Sequence, residues 1–174
     1  MSEVATIECE ATAAAPTKKG EAATFVVFSA EMDKALAAFT LANASAAAGM
    51  KTTIFFAFWG LCTVRAEKRV SRGSFMDRVF GFLLPRGANR LPTSRLNFFG
   101  LGPRMFRWRM AQKRQPDLVT LMAQARALGV QLQACAASAD MLGIAQEDLV
   151  EGVKIAGAMT CMRDAALADV ALFI

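Results

Sequence analysis

The chain has 174 residues, 55% hydrophobic and 20% charged, with 20 Lys and Arg against 15 Asp and Glu, a net charge of +5, and no histidine. That length suits one domain with a real core, and without a run of about 18 uncharged apolar residues a conventional membrane-spanning helix is not supported. The missing histidine rules out Ser-His-Asp and Cys-His catalysis within the chain.

Residues 1–22 are rich in Ala, Thr and Glu, carry acids early, and have neither a basic nor an apolar leader region. They read as a disordered tail rather than a secretory signal. The expected setting is therefore cytoplasmic and reducing, with disulfides not anticipated. The remainder, 23–174, is expected to be one domain.

Residues 22–28 form a short continuous apolar run of the buried-strand kind. Glu31 to Ala48 reads as a helix with Leu36, Phe39, Asn43 and Ala47 on one face and Gly49 just past its end. KTTIFFAF (51–58) is the second strand. QPDLVTLMAQARALG opens with Pro116 near its first helical position, buries Leu118, Leu121, Met122, Ala125 and Leu128, and closes on Gly129. VQLQAC (130–135) is the third strand. LVEGVKIAG (149–157) fits either a short strand or a turn, Met159 to Ala168 a helix, and VALFI (170–174) a terminal strand. Strands alternating with helices imply right-handed βαβ units and a parallel sheet covered on both faces.

Between the second and third strands the regularity breaks. The segment 65–114 holds 13 of the 20 basic residues and only two acids, Glu67 and Asp77, so the positive charge of the chain belongs to it and the rest is net acidic. It also holds Phe75, Phe80, Phe82, Phe98, Phe99, Phe106 and Trp108. A simple crossover needs only a dozen or so residues, so this is an insertion. SFMDRVFGFLLP (74–85) places Phe75, Met76, Val79, Phe80, Phe82 and Leu83 on one broad face of a short amphipathic helix ended by Pro85. RMFRWRMAQKR (104–114) fits a second helix, although Arg109 falls in its apolar sector.

Four readings of the insertion stay open. Its apolar face suits packing between subunits of a homo-oligomer, or a peripheral membrane contact through residues 74–110. Its charge suits docking of an acidic partner protein. Nucleic-acid binding is the weakest, because no binding motif accompanies the charge. Met76, Met105 and Met110 fit gap-filling better than copper binding.

Four widely spaced cysteines, Cys9, Cys62, Cys135 and Cys161, contain no CxxC pair. A structural zinc site and the thioredoxin redox motif are both disfavoured, and no metal or cofactor is implied. Cys135 ends a strand, where open α/β sheets collect functional groups, and is followed by small residues that suit a helix start. Helix N–H groups and nearby cations there would favour a thiolate. The plainer reading is a small buried hydrophobe. Cys62, just beyond the second strand, is a candidate second thiol, Cys161 fits helix packing, and Cys9 lies in the tail. Arg65, Lys68, Arg69 and Arg72 leave the second strand first and form a candidate cationic rim beside Cys135.

TIFFAFWGL (53–61), ALGVQLQACAASADMLGI (127–144) and EDLVEGVKIAGAMTCMRDAALADVALFI (147–174) carry a resemblance to the DsrE/DsrF/DsrH-like family of small α/β sulfur-relay proteins. The branch it resembles has a long insertion after the second strand and is often labelled peroxiredoxin-like. The resemblance implies a three-layer α/β/α fold with a five-stranded parallel sheet, oligomerisation, and persulfide sulfur carried on Cys135. It assigns no role to Cys62 or Cys161. The peroxidase label finds no support, since Leu132, Trp59 and Ala158 stand three residues before Cys135, Cys62 and Cys161, where peroxidatic cysteines have Thr or Ser, and only Cys9 fits, through Thr6, in the tail. The expected function is sulfane-sulfur trafficking through Cys135, and under this resemblance the acidic partner of the basic insertion is expected to be a sulfur-carrier protein. The alternative is a non-catalytic assembly or membrane-surface adaptor whose cysteines are structural.

Overall fold

The computed structural model describes residues 21–66, 85, 87–95 and 101–174. Five strands, β1 (Ala22–Val27), β2 (Lys51–Phe56), β3 (Gln131–Cys135), β4 (Val153–Ala156) and β5 (Val170–Phe173), form one sheet in the order β4-β3-β2-β1-β5. Every pairing is parallel. The 149–157 segment thus contributes a strand, and the expected five-stranded α/β sheet is present.

Strand order dictates which face each helix covers. From β1 to β4 the chain steps in one direction, so right-handed crossovers put the intervening helices on one face. These are α1 (Met32–Ala47), α3 (Leu118–Ala127) and the short α4 (Ala136–Met141). The last crossover runs back past β3, β2 and β1 to reach β5, so its helix, α5 (Ala158–Ala166), lies on the opposite face.

Side chains alternate across the sheet accordingly. Ala23, Phe25, Val27, Ile54, Phe56, Leu132, Ala134 and Val153 join the main core beneath α1 and α3. Phe55 and Cys135 point the other way and pack with Cys161 of α5.

The buried stripe of α1 runs through Met32, Ala35, Ala38, Phe39 and Ala42, a rotation from the face expected, and Ala47 is exposed. Three alanines in that stripe let the helix approach the sheet closely. Asn43 is half-buried because its Nδ2 donates to the Leu121 carbonyl of α3 at 3.0 Å. In α3 the N-cap is Asp117, whose Oδ1 accepts from Thr120 N–H at 2.8 Å. Pro116 therefore precedes the cap instead of opening the helix, and Leu128, expected inside, is exposed at the C-cap.

Of the insertion, the helix α2 runs Leu101–Gln112, three residues earlier than expected at its start. Gly102 and Pro103 are buried, while Leu101, Met105, Phe106 and Trp108 are exposed. Residues 1–20 and the amphipathic stretch 74–84 lie outside the described residues.

Candidate thiol site

The site lies at the carboxyl edge of the sheet. β3 passes into α4 without a linker, so Cys135 is both the last strand residue and the N-cap of the helix. Small residues permit that abrupt change, and Gly143 at φ +61 lets the chain leave after one and a half turns. Ile144 N–H closes the helix on the Ala139 carbonyl at 2.8 Å.

Cys135 is 8% exposed and shares a buried cluster with Phe55 and Cys161, flanked by Val26, Ala57 and Ala156. Ala156 is its direct partner on β4. One residue later the chain turns at Gly157 into α5, and Cys161 sits at the fourth position of that helix, its N–H donating to the Gly157 carbonyl at 3.3 Å. Cys135 and Cys161 thus come from the ends of neighbouring strands onto one face of the sheet. Burial pushes the Cys161 thiol up, and the Asp164 carboxylate and Cys135 add to the effect.

Asp164 holds α5 against this face. Its Oδ2 accepts from Gln133 Nε2 at 3.2 Å, its backbone carbonyl accepts from Thr24 Oγ1 at 3.2 Å, and Arg163 Nη2 reaches its Oδ1 at 3.1 Å. Polar contacts from Asp164 thus tie α5 to β1 and β3, while its Met159 and Met162 face solvent.

Cys62 lies elsewhere. It is fully buried in a 3-10 segment, Phe58–Val64, and belongs to the main core with Leu61 and Val64. Desolvation pushes its thiol up, partly offset by the Arg65 charge. Arg65 is itself buried, and its backbone bridges to Leu149. Lys68, Arg69 and Arg72 lie outside the described residues. The structure thus brings Cys161, not Cys62, into the cluster of Cys135.

The same edge carries aromatic side chains that sequence reasoning did not single out. The Phe28 ring lies between those of Phe58 and Phe173, tilted against each with centroids 5.1 and 5.8 Å away, and all three are exposed, as is the adjacent Trp59. Phe58 adopts φ +45, a left-handed conformation costly for a bulky residue. Gly60 N–H holds the turn through the Ala57 and Phe28 carbonyls, at 2.9 and 3.0 Å. Among the described residues, no group of three or more Cys, Asp or Glu is placed to hold a metal ion, and no helix is long and apolar enough to cross a membrane.

A five-stranded, all-parallel α/β domain with a thiol at the carboxyl end of an interior strand defines the class. Within that class, the chain belongs to the DsrE/DsrF/DrsH-like family, whose model matches residues 19–173. It is 36% identical over 159 residues to the uncharacterized protein YrkE of Bacillus subtilis, covering 91% of this chain and 99% of that protein. It is 24% identical over 147 residues to the sulfur carrier protein DsrE2 of Allochromatium vinosum, covering 82% and 91% respectively. Among solved structures, the ychN protein of E. coli shares the fold, with a TM-score of 0.53 at 12% identity over 88% of this chain and 99% of that one.

Proposed function

We propose that this protein traffics sulfane sulfur, accepting it as a persulfide on Cys135 and passing it to an acceptor thiol. In the loading step the Cys135 thiolate attacks the outer sulfur of a donor persulfide. The donor's S–S bond breaks, its thiolate leaves, and Cys135 carries the terminal sulfur. The observation that supports this reading most is the position of Cys135, at a strand end and a helix N-cap in an interior strand of the sheet. Kinship with a sulfur carrier protein agrees with it. Burial pushes the Cys62 and Cys161 thiols up, which disfavours their thiolates.

The test is intact-mass spectrometry after incubation with glutathione persulfide. Wild-type protein should gain one sulfur atom, mapped to Cys135, and Cys135→Ser should gain none while keeping its circular dichroism spectrum. Equal loading of that variant would overturn the proposal. The adaptor reading, for which the exposed Leu101, Met105, Phe106 and Trp108 of α2 speak, expects no Cys135-dependent adduct at all, so the same experiment separates the two.

A further inference from the structure

The structure places two thiols in one buried cluster, and the loading step uses only one of them. Cys135 and Cys161 are each 8% exposed and pack with Phe55 on the face of the sheet that α5 covers. Their backbone origins are adjacent, since Cys135 pairs with Ala156 and Cys161 lies in the first turn and a half of the helix that begins two residues after Ala156. Small side chains, Ala57 and Ala156, flank the pair. The electrostatic influence of Cys135 on Cys161 agrees with that proximity.

Resting on the persulfide reading of Cys135, we propose that Cys161 is the resolving thiol of the site: it attacks the inner sulfur of the Cys135 persulfide and releases hydrosulfide. The Cys161 thiolate forms a new S–S bond to Cys135 Sγ, and the persulfide S–S bond breaks. Its electron pair leaves on the terminal sulfur as HS⁻. The two cysteines lose two electrons in becoming a disulfide, and the sulfane sulfur gains the same two in becoming sulfide. The proton given up by Cys161 goes to solvent or to the departing sulfur. An external dithiol reductant then restores both thiols.

This gives the carrier two fates for its cargo. A docked acceptor takes the terminal sulfur at its own oxidation level, whereas an undocked carrier discharges it as hydrosulfide and locks itself in a disulfide that cannot reload. Cys161, held protonated more firmly than an ordinary thiol, makes discharge the slower fate.

The experiment loads the full-length wild type and Cys161→Ser, Cys161→Ala and Cys62→Ser variants with glutathione persulfide, removes the donor, and follows intact mass and hydrosulfide over time. Wild type and Cys62→Ser should lose the added sulfur, release about one equivalent of hydrosulfide, and end two hydrogens lighter than the reduced protein, with a peptide cross-link between Cys135 and Cys161. Both Cys161 variants should keep the sulfur, with release slowed on the order of tenfold or more. Equal persulfide lifetimes in wild type and both Cys161 variants would overturn the inference while leaving the carrier reading intact. Absence of any Cys135 adduct in the Cys161 variants would overturn both. Diamide treatment of unloaded protein gives an independent readout. It should cross-link Cys135 to Cys161, and a folded protein that forms no such bond would overturn the pairing.

Discussion

Three buried cysteines in one small domain fall into two surroundings, Cys62 in the main core and Cys135 with Cys161 on the face that α5 covers, and the surroundings decide what each thiol does. Cys62 is sealed in the main core, where desolvation holds its proton. In the unfolded chain that thiol ionises at its ordinary value, about 8.5. Above that pH the unfolded state binds fewer protons than the fold, so stability contributed by the neutral thiol is present below the ordinary value and declines as pH rises through the raised one. The slope is at most about 1.4 kcal/mol per pH unit for a single group. Chemical denaturation of wild type and Cys62→Ala between neutral pH and pH 10 should show the wild type losing stability more steeply. Parallel curves would mean that the Cys62 thiol ionises in the fold as readily as in the unfolded chain. Alkylation of native protein at pH 7 should correspondingly spare Cys62 until denaturant is added.

At the scale of elements, the carboxyl edge depends on one close approach. The turn after β2 lies directly on the end of β1, with Ala57 N–H donating to the Val27 carbonyl at 2.9 Å and Gly60 N–H to Phe28 at 3.0 Å. A Cβ on Gly60 would overlap the Val27 carbonyl oxygen, a backbone atom that cannot turn aside. Gly129, at φ +77, has nothing near its missing side chain, so only conformational strain opposes substitution there. Gly60→Ala should therefore lower stability by about 1–3 kcal/mol or more, through overpacking. Gly129→Ala should lower it by only about 1 kcal/mol. Thermal melts of the two variants test this ordering, and the reverse order would show that the β1–β2 edge yields easily. The cysteine patterning hints at none of this, but FWG after an apolar strand, a glycine directly following two bulky aromatics, is a legible sign that the backbone needs room there.

Across the whole molecule the dominant electrostatic feature is the separation of charge. The segment 65–114 carries the excess of Arg and Lys, and the remainder is acidic. We propose that Lys68, Arg69 and Arg72, the cations that follow β2 in sequence, steer an acidic carrier to Cys135. Sulfur transfer from such a carrier should then slow as salt rises and the Debye length shortens from about 10 Å at 0.1 M to about 3 Å at 1 M. Replacing the three residues with Gln should slow transfer at low salt and flatten the salt dependence. Superimposable salt profiles for wild type and the triple variant would remove the rim from the mechanism. Arg65 is left out of that variant because it is buried beside Cys62, and its loss would confound docking with folding.

The sequence by itself determined the alternation of strands and helices, the parallel sheet that alternation requires, and the family, because these follow from local hydrophobic period and from contiguous stretches such as ALGVQLQACAASADMLGI. It also singled out Cys135, since a thiol between a buried strand and a run of helix-starting residues is a local pattern. Only the tertiary structure decided which thiol is its neighbour. Cys62 follows β2 and Cys161 follows β4, so both strands flank β3 and sequence spacing cannot choose between them. The choice was made by handedness and parity. The 3-10 turn after β2 rolls Cys62 into the core beneath α1 and α3, whereas the return crossover from β4 to β5 must lie on the opposite face, and Cys135, the alternate residue to Ala134, points to that face.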